Sequence, residues 1–405
     1  MTYTEALNKL NSYGQAHLLR YFDELSEEEK TELLAQIEDI DFSVIALSER
    51  SAERGSISPI SVTELSEIRT RFDEFTSAGL DELRAGKVGA VLLAGGMGTR
   101  LGSNAPKGMF NVGITKEVFI FERLISNLTD VTTQAGCLVH LFIMTSDKNH
   151  DATVDFFASK NYFGYKPEYI HFFKQEMAPA TDYAGKVYLE SKSKISTSPN
   201  GNGGWYSSMK KCGMLQIVEE NGIEWLNVFA VDNVLQRIAD PAFIGAAKLT
   251  CCAVASKVIK KISPDEKVGV MCLEDGRPSI VEYYELTDEM RDSRNANGEP
   301  AYNFGVILNY LFHVKELNAI VGEALPLHIV EKKIQHIDED AKLVDPDKPN
   351  GYKYETLILD MIHMLNGCLV FEVDRKREFA PIKNRTGVDS VDSARELMKL
   401  NGVEL

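Results

Sequence analysis

Apolar positions in the first 85 residues recur at helical spacing among many glutamates, most sharply in SEEEKTELLAQIEDI, where Leu33, Leu34 and Ile37 line one face. Ser26 with Glu29 supplies a capping box for this helix, each side chain taking up a backbone amide that the first turn leaves without a partner. No strand pattern is read before residue 85, so a helical N-terminal lobe with a solvated acidic face is expected over 1–85. From residue 87 the period changes. The apolar runs VGAVLLA, CLVHLFIMTS and WLNVFAVDNV alternate with the helical stretches FIFERLISNL and ATVDFFASKNY. Strands that are apolar throughout are buried on both faces, so this alternation predicts an α/β fold: a mostly parallel sheet with helices on both faces. Between 250 and 335 the alternation weakens, and KVGVMCLEDGRPSIVEYYEL predicts a hairpin turning at Asp275-Gly276. DSARELMKL reads as a short capped helix, and PDKPNG at 346–351 as a connector. The expected division is a helical lobe 1–85, a large α/β domain 86–385 parting near 245, and a short C-terminal helix and tail 386–405.

In open parallel sheets ligands bind beyond the carboxyl ends of the strands. That rule gathers Gly95 to Lys107, Thr145-Ser146 and Asp232, each directly after an apolar strand, on one edge. The first of these segments carries the strongest chemistry. Residues 89–108 read GAVLLAGGMGTRLGSNAPKG, and Gly95, Gly96 and Gly98 allow backbone amides to approach an anion while Arg100 and Lys107 supply charge. Two familiar phosphate loops are excluded. Gly96, Gly98 and Gly102 are spaced G-x-G-x-x-x-G, one residue too long for the dinucleotide fingerprint, and Lys107 lies between Pro106 and Gly108, without the glycine before it and Ser or Thr after it that a P-loop needs. The pattern suits a nucleoside triphosphate, an ordinary glycine-rich βα turn being the alternative.

Composition narrows the classes. The 60 acidic against 44 basic residues give a net charge of −16, which repels nucleic acid and anionic membranes and requires the basic side chains of a polyanion site to be concentrated locally. No run reaches the length of a membrane span and Met1 to Leu18 lack a signal peptide's apolar stretch, so a cytoplasmic protein is expected. The six cysteines form no C-x-x-C pair and no metal spacing with histidine, and Cys251-Cys252 in AAKLTCCAVA read as small core side chains.

The run LAGGMGTRLG with PKGM resembles the signature of sugar nucleotidyltransferases, L-x-x-G-G-x-G-T-R-L followed by P-K, in the version found in eukaryotic UDP-N-acetylglucosamine pyrophosphorylases. Colinear similarity runs from about residue 85 to 400. It implies a Rossmann-like nucleotidyltransferase sheet with a nucleotide part, 86–245, and a sugar part, 246–385. It also implies a uridylyltransferase making UDP-N-acetylglucosamine and pyrophosphate from UTP and N-acetylglucosamine 1-phosphate. By the same resemblance Ala94, Gly95 and Gly96 meet the nucleotide, Arg100 and Lys107 brace its phosphates, and Gln175 in FKQEMAPA contacts it. Gly201, Asn202 and Gly203 in PNGNGGWY lie against uracil and ribose, although alone they read more readily as a surface turn.

Asp232 in VFAVDNV reads from its residues either as a hydrogen-bonded structural carboxylate or as a ligand for a hard cation; the resemblance implies the latter, with Mg²⁺ or Mn²⁺. Gly269, Glu282, Tyr283 and Asn303 match sugar-facing positions, and Lys353 and Asp360 fall at matching places, each with a bland core, turn or solvated reading beside it. Lys383 in APIKN matches the lysine for the sugar phosphate. Met97 stands where the family commonly has Gln, which removes one possible base contact, and Val306 stands where it has Asn, which leaves sugar choice open. A chain ending soon after the last helix, before an extra lobe of longer relatives, implies a monomer. Alternatives are a pyrophosphorylase for glucose or galactose 1-phosphate, and a catalytically silent UDP-sugar-binding homologue.

Overall fold

The computed structural model describes residues 1–47, 54–323 and 325–405. The chain forms two compact units, each described by itself. The larger comprises Arg54–Gln175, Trp205–Glu323 and Met361–Leu405, and is built on a ten-stranded sheet. Its strands are β1 (Ile57–Pro59), β2 (Val88–Leu93), β3 (His140–Thr145), β4 (Ile170–Lys174), β5 (Trp225–Ala230), β6 (Val254–Lys260), β7 (Val270–Glu274), β8 (Arg277–Val281), β9 (Phe304–His313) and β10 (Cys368–Glu372). Their order is β1-β7-β9-β5-β2-β3-β4, with β8 beside β7, and with β6 between β9 and β10.

The strand–helix alternation of the sequence corresponds to the run β5-β2-β3-β4, in which all neighbours are parallel. Every residue of β2 is buried, the condition its unbroken apolar pattern demands. Helices Phe72–Arg84, Ile120–Ala135 and Pro241–Thr250 bury Phe75, Leu83, Phe121, Leu124 and Phe243 in one cluster with Leu92, Ile143 and Phe229. Antiparallel β9 joins this run to the rest: Phe229 pairs with Asn309 on β9, while Gly305 near its start pairs with Val270 on β7. The hairpin turns at Asp275-Gly276, whose φ values of 50° and 79° are the left-handed pair that a two-residue hairpin loop requires.

Two expectations are corrected. The stretch before residue 85 contains a strand, β1, which pairs antiparallel with β7 from Ile57↔Glu274 to Pro59↔Cys272; three residues are too few to show alternation, and Pro59 suits an edge position. Cys251 is exposed and Cys252 half-buried, because Pro241–Thr250 ends there, with Cys251 at φ 52° as its left-handed cap.

The smaller unit joins Met1–Glu53, Glu176–Gly204 and Ala324–Asp360. The capping box of Ser26 and Glu29 starts helix Glu27–Asp39, whose Leu33 and Ile37 enter a core with Leu10, Leu18, Phe42, Val187, Leu189 and Ile195. A three-stranded sheet orders His328–Lys332, Gly351–Glu355 and Thr181–Asp182. Among the described residues no helix is long and apolar enough to cross a membrane.

Candidate functional site

The four parallel strands of the larger unit end nearly level: Leu93 pairs with both Ala230 and Met144, and Thr145 with Lys174. Their continuations bring Ala94 to Gly96, Ser146, Gln175 and Asp232 to one edge. The loop after β2 is anchored through its carbonyls. Asn149, fully buried, donates Nδ2 to Ala94 O at 2.9 Å, Ser146 Oγ donates to Gly95 O at 3.0 Å, and Lys107 N donates to Gly96 O at 3.1 Å. The amides of Gly95, Gly96 and Met97 have no acceptor among the described residues. Successive free amides on an anchored loop form an anion-binding concavity. A methyl group on Gly95 would lie 2.6 Å from Gln175 Nε2, so that glycine leaves room for the buried Gln175 amide, which itself has no hydrogen-bond partner among the described residues. A methyl on Gly96 would meet nothing within 4 Å.

Charge is concentrated beside this loop. Lys107, at the start of the turn Lys107–Met109, is half-buried, and its ammonium has no hydrogen-bond or ion-pair partner among the described residues. Burial draws its pKa below the usual lysine range; Asp232 opposes that shift, and Lys383 and Arg100 add to it. Asp232, Lys383 and Arg100 thus all lie within electrostatic reach of Lys107. Arg100 is exposed, Asp232 is half-buried, and neither side chain has a hydrogen-bond or ion-pair partner among the described residues. Lys383 Nζ donates to Asp389 Oδ2 at 3.1 Å.

Buried amides hold the segment that carries Asp232. Asn227 Nδ2 donates to Asn309 Oδ1 at 2.8 Å, Asn309 Nδ2 to Gln236 Oε1 at 3.3 Å, and Gln236 Nε2 to Ala230 O at 2.7 Å. Asn233 then clamps the strand leading to Lys383: its Nδ2 donates to Glu378 O at 2.7 Å, its Oδ1 accepts from Ala380 N at 2.9 Å, and Ile382 N donates to Asp232 O at 2.9 Å. Below lies Lys257, wholly buried, donating to Asp240 Oδ2 at 2.9 Å and Glu378 Oε2 at 2.6 Å. Asn149, Asn233 and Gln236 were missed in the sequence. Asn149 and Asn233 each make a short-range bond, Asn149 Oδ1 accepting from Ser146 N three residues back and Asn233 Oδ1 from Leu235 N two residues ahead.

The residues matched to the sugar form a second group in the same unit. A methyl on Gly269 would lie 3.3 Å from Glu282 Oε1, and Val306 N donates to Gly269 O at 2.9 Å. Asn303 precedes β9 and accepts through its carbonyl from Lys261 N at 2.9 Å. Tyr283 is partly exposed, its ring 5.3 Å from that of Tyr284.

Gly201, Asn202, Gly203 and Lys353 belong to the smaller unit. Gly201, at φ 89°, packs so closely that a methyl would lie 2.2 Å from Thr356 O. Gly203 would meet Leu357 N at 2.7 Å, and Asn202 Oδ1 accepts from Ile358 N at 2.9 Å. These contacts fix the loop against the end of Gly351–Glu355, the strand that bears Lys353, and commit one lone pair of the Asn202 amide. Asp360 accepts from His328 Nε2 at 2.9 Å.

Comparison with known proteins follows the same outline. Residues 47–400 match the model of the UTP–glucose-1-phosphate uridylyltransferase family. The mouse UDP-N-acetylhexosamine pyrophosphorylase-like protein 1 is 34% identical over 94% of this chain and 80% of its own length. The UDP-N-acetylglucosamine pyrophosphorylase of Saccharomyces cerevisiae is 34% identical over 92% and 84%. In three dimensions the Trypanosoma brucei uridine diphosphate N-acetylglucosamine pyrophosphorylase, solved in complex with an inhibitor, superposes with a TM-score of 0.83 at 26% identity, covering 98% of this chain and 84% of that one. A UDP-glucose pyrophosphorylase from Leishmania major, at 17% identity and a TM-score of 0.64, shares the fold over 89% of this chain and 77% of its own. With the match running from before β1 to the last helix, the chain belongs to the UTP–glucose-1-phosphate uridylyltransferase family.

Proposed function

We propose that this protein is a UTP:N-acetylglucosamine-1-phosphate uridylyltransferase, releasing UDP-N-acetylglucosamine and pyrophosphate. The observation that carries the reading is Lys107, within electrostatic reach of Asp232, Lys383 and Arg100, beside a loop whose amides at Gly95, Gly96 and Met97 have no acceptor among the described residues. Such an arrangement suits a triphosphate, and the unpartnered amide of Gln175 beside Gly95 suits polar recognition of the nucleotide. The family's N-acetylglucosamine members at 34% identity favour the N-acetylated sugar.

The proposed reaction is an in-line displacement. A phosphate oxygen of the sugar phosphate forms a bond to the α-phosphorus of UTP as the bond to the bridging oxygen breaks, and that electron pair departs with pyrophosphate. A phosphate monoester is already largely ionised near neutral pH, so no general base is needed. Rate enhancement then comes from alignment and from charge placed in advance: Arg100 and Lys107 on the triphosphate, Lys383 on the incoming phosphate. Lys383 must exchange Asp389 for substrate. Asp232, a half-buried carboxylate without a protein partner among the described residues, fits a hard divalent cation, Mg²⁺ or Mn²⁺. When bound, such an ion would neutralise phosphate charge during the displacement. Glu282 beside Gly269, with Tyr283, Asn303 and Lys353, would face the sugar, and Gly201 to Gly203 the uridine. We assign the reaction to the cytoplasm, which the six unpaired cysteines support.

A pyrophosphate-release assay with UTP and a panel of sugar 1-phosphates tests the reading. Turnover is expected with N-acetylglucosamine 1-phosphate above glucose 1-phosphate, and Asp232→Asn should abolish the normal dependence on Mg²⁺. Preference for glucose 1-phosphate would transfer the protein to the hexose branch. UDP-sugar binding without any pyrophosphate release would make it a silent homologue.

A further inference from the structure

We infer that Arg385 is a further catalytic residue, which grips the pyrophosphate as it leaves; this rests on the uridylyltransferase reading above. The backbone leading to Arg385 is tightly fixed. Ile382 N donates to Asp232 O at 2.9 Å, and Lys383 N and Asn384 N both donate to Asp389 O, at 2.7 and 3.0 Å. Two residues beyond Lys383, the Arg385 guanidinium reaches the phosphate loop: its Nη1 lies 3.5 Å from the position a β-carbon on Gly102 would take. Gly102, at φ 76°, closes the turn Thr99–Leu101 that carries Arg100. Arg385 therefore stands against the same turn as Arg100, while the residue before Lys383 is tied by its backbone to Asp232.

Charge bookkeeping points the same way. Lys383 already shares its charge with Asp389, whereas Arg385 is exposed and has no hydrogen-bond or ion-pair partner among the described residues, as is true of Arg100 and Lys107. In a chain of net charge −16, where 60 acidic side chains outnumber 44 basic ones, three uncommitted cations around one loop suit a polyanion. The group that gains charge in the displacement is pyrophosphate, which receives the electron pair of the broken bond to the α-phosphorus. A planar guanidinium meets two phosphate oxygens at once, which a lysine ammonium does not.

Pyrophosphorolysis reads this directly. With Arg385→Ala, KM for pyrophosphate should rise by about 10- to 100-fold, the scale of one hydrogen bond between charged groups, while KM for the UDP-sugar stays within about twofold of wild type. Arg385→Lys should recover part of the loss, and the thermal midpoint of both variants should match wild type. An unchanged KM for pyrophosphate in Arg385→Ala overturns the assignment, and so does an equal rise in both KM values, which would mark Arg385 as a brace for the loop. A wild-type protein that releases no pyrophosphate with any sugar phosphate would instead overturn the underlying reading.

Discussion

Replacing Gly96 with alanine separates what the loop needs in order to fold from what it needs in order to bind. A β-carbon at Gly96 would meet no heavy atom within 4 Å, and the backbone there has no left-handed φ, so the free protein has room for the methyl group. Its stability should therefore stay within about 0.5 kcal/mol of wild type, the range of an exposed substitution that breaks no contact. Binding is another matter, because the amides of Gly95, Gly96 and Met97 face no acceptor among the described residues, and a phosphate reaching them must pass close to the Gly96 α-carbon. An intruding methyl in a close-packed contact costs about 1–3 kcal/mol, which converts to a loss in UTP affinity of about 5- to 150-fold. Urea unfolding of the free protein and calorimetric titration with UTP, run on the same preparations, give the two numbers. Wild-type affinity for UTP in Gly96→Ala would refute the assignment of this loop to the phosphates. A matching drop in stability would show that the glycine serves the fold.

Lys107→Ala should lower kcat by about 10²- to 10³-fold if its ammonium meets charge that develops in the transition state. Because burial lowers the pKa of Lys107 in the free protein, and only the charged form is useful, the alkaline limb of kcat/KM in wild type should fall below the range of an ordinary lysine; a limb at that ordinary value would contradict this. Lys257→Met should destabilise the protein by about 3–5 kcal/mol, measured in urea, since Glu378 would lose its ammonium partner and Asp240 would keep only Arg237 as a cationic partner. His171 is held at a pKa of about 4 by burial and by His140, whose Nδ1 lies 2.9 Å from His171 Nε2. The unfolded chain takes up a proton near pH 6.5 and the folded one does not, so stability should fall as pH drops from about 6.5 towards 4. His171→Phe should flatten that fall, and an unchanged slope would exclude this histidine as its cause.

Features governed by neighbours in the chain were legible before the coordinates. The apolar run 88–94 required a fully buried strand, Ser26 with Glu29 announced a helix start, and Asp275-Gly276 announced a tight turn. Arg100 and Lys107 stood out because basic residues seldom share a short glycine-rich loop without an anion to meet. What could not be read rests on partners distant in sequence. Asn149 reaches back 55 residues to Ala94, and Asn233 reaches ahead 145 residues to Glu378; their short-range bonds to Ser146 N and Leu235 N mark a turn but not these distant partners. Cys251-Cys252 misled for a related reason: apolar neighbours describe the average setting of a segment, but not the residue at which a helix stops and turns its next side chain to solvent. The smaller unit draws on three stretches of chain, and no periodicity marks segments that are partners only after folding.

That assembly has a cost during synthesis. The apolar faces of Leu10, Leu18 and Phe42 find cover from Val187, Leu189 and Ile195, and the unit is complete only with the stretch that ends at Asp360. At a ribosomal pace of about 5–20 residues per second, the amino-terminal helices wait roughly 15–60 s before the last of their companions emerges. During that interval they are a nascent greasy surface, and a chaperone that shields the emerging chain should raise the yield of active protein more than any adjustment to the finished fold.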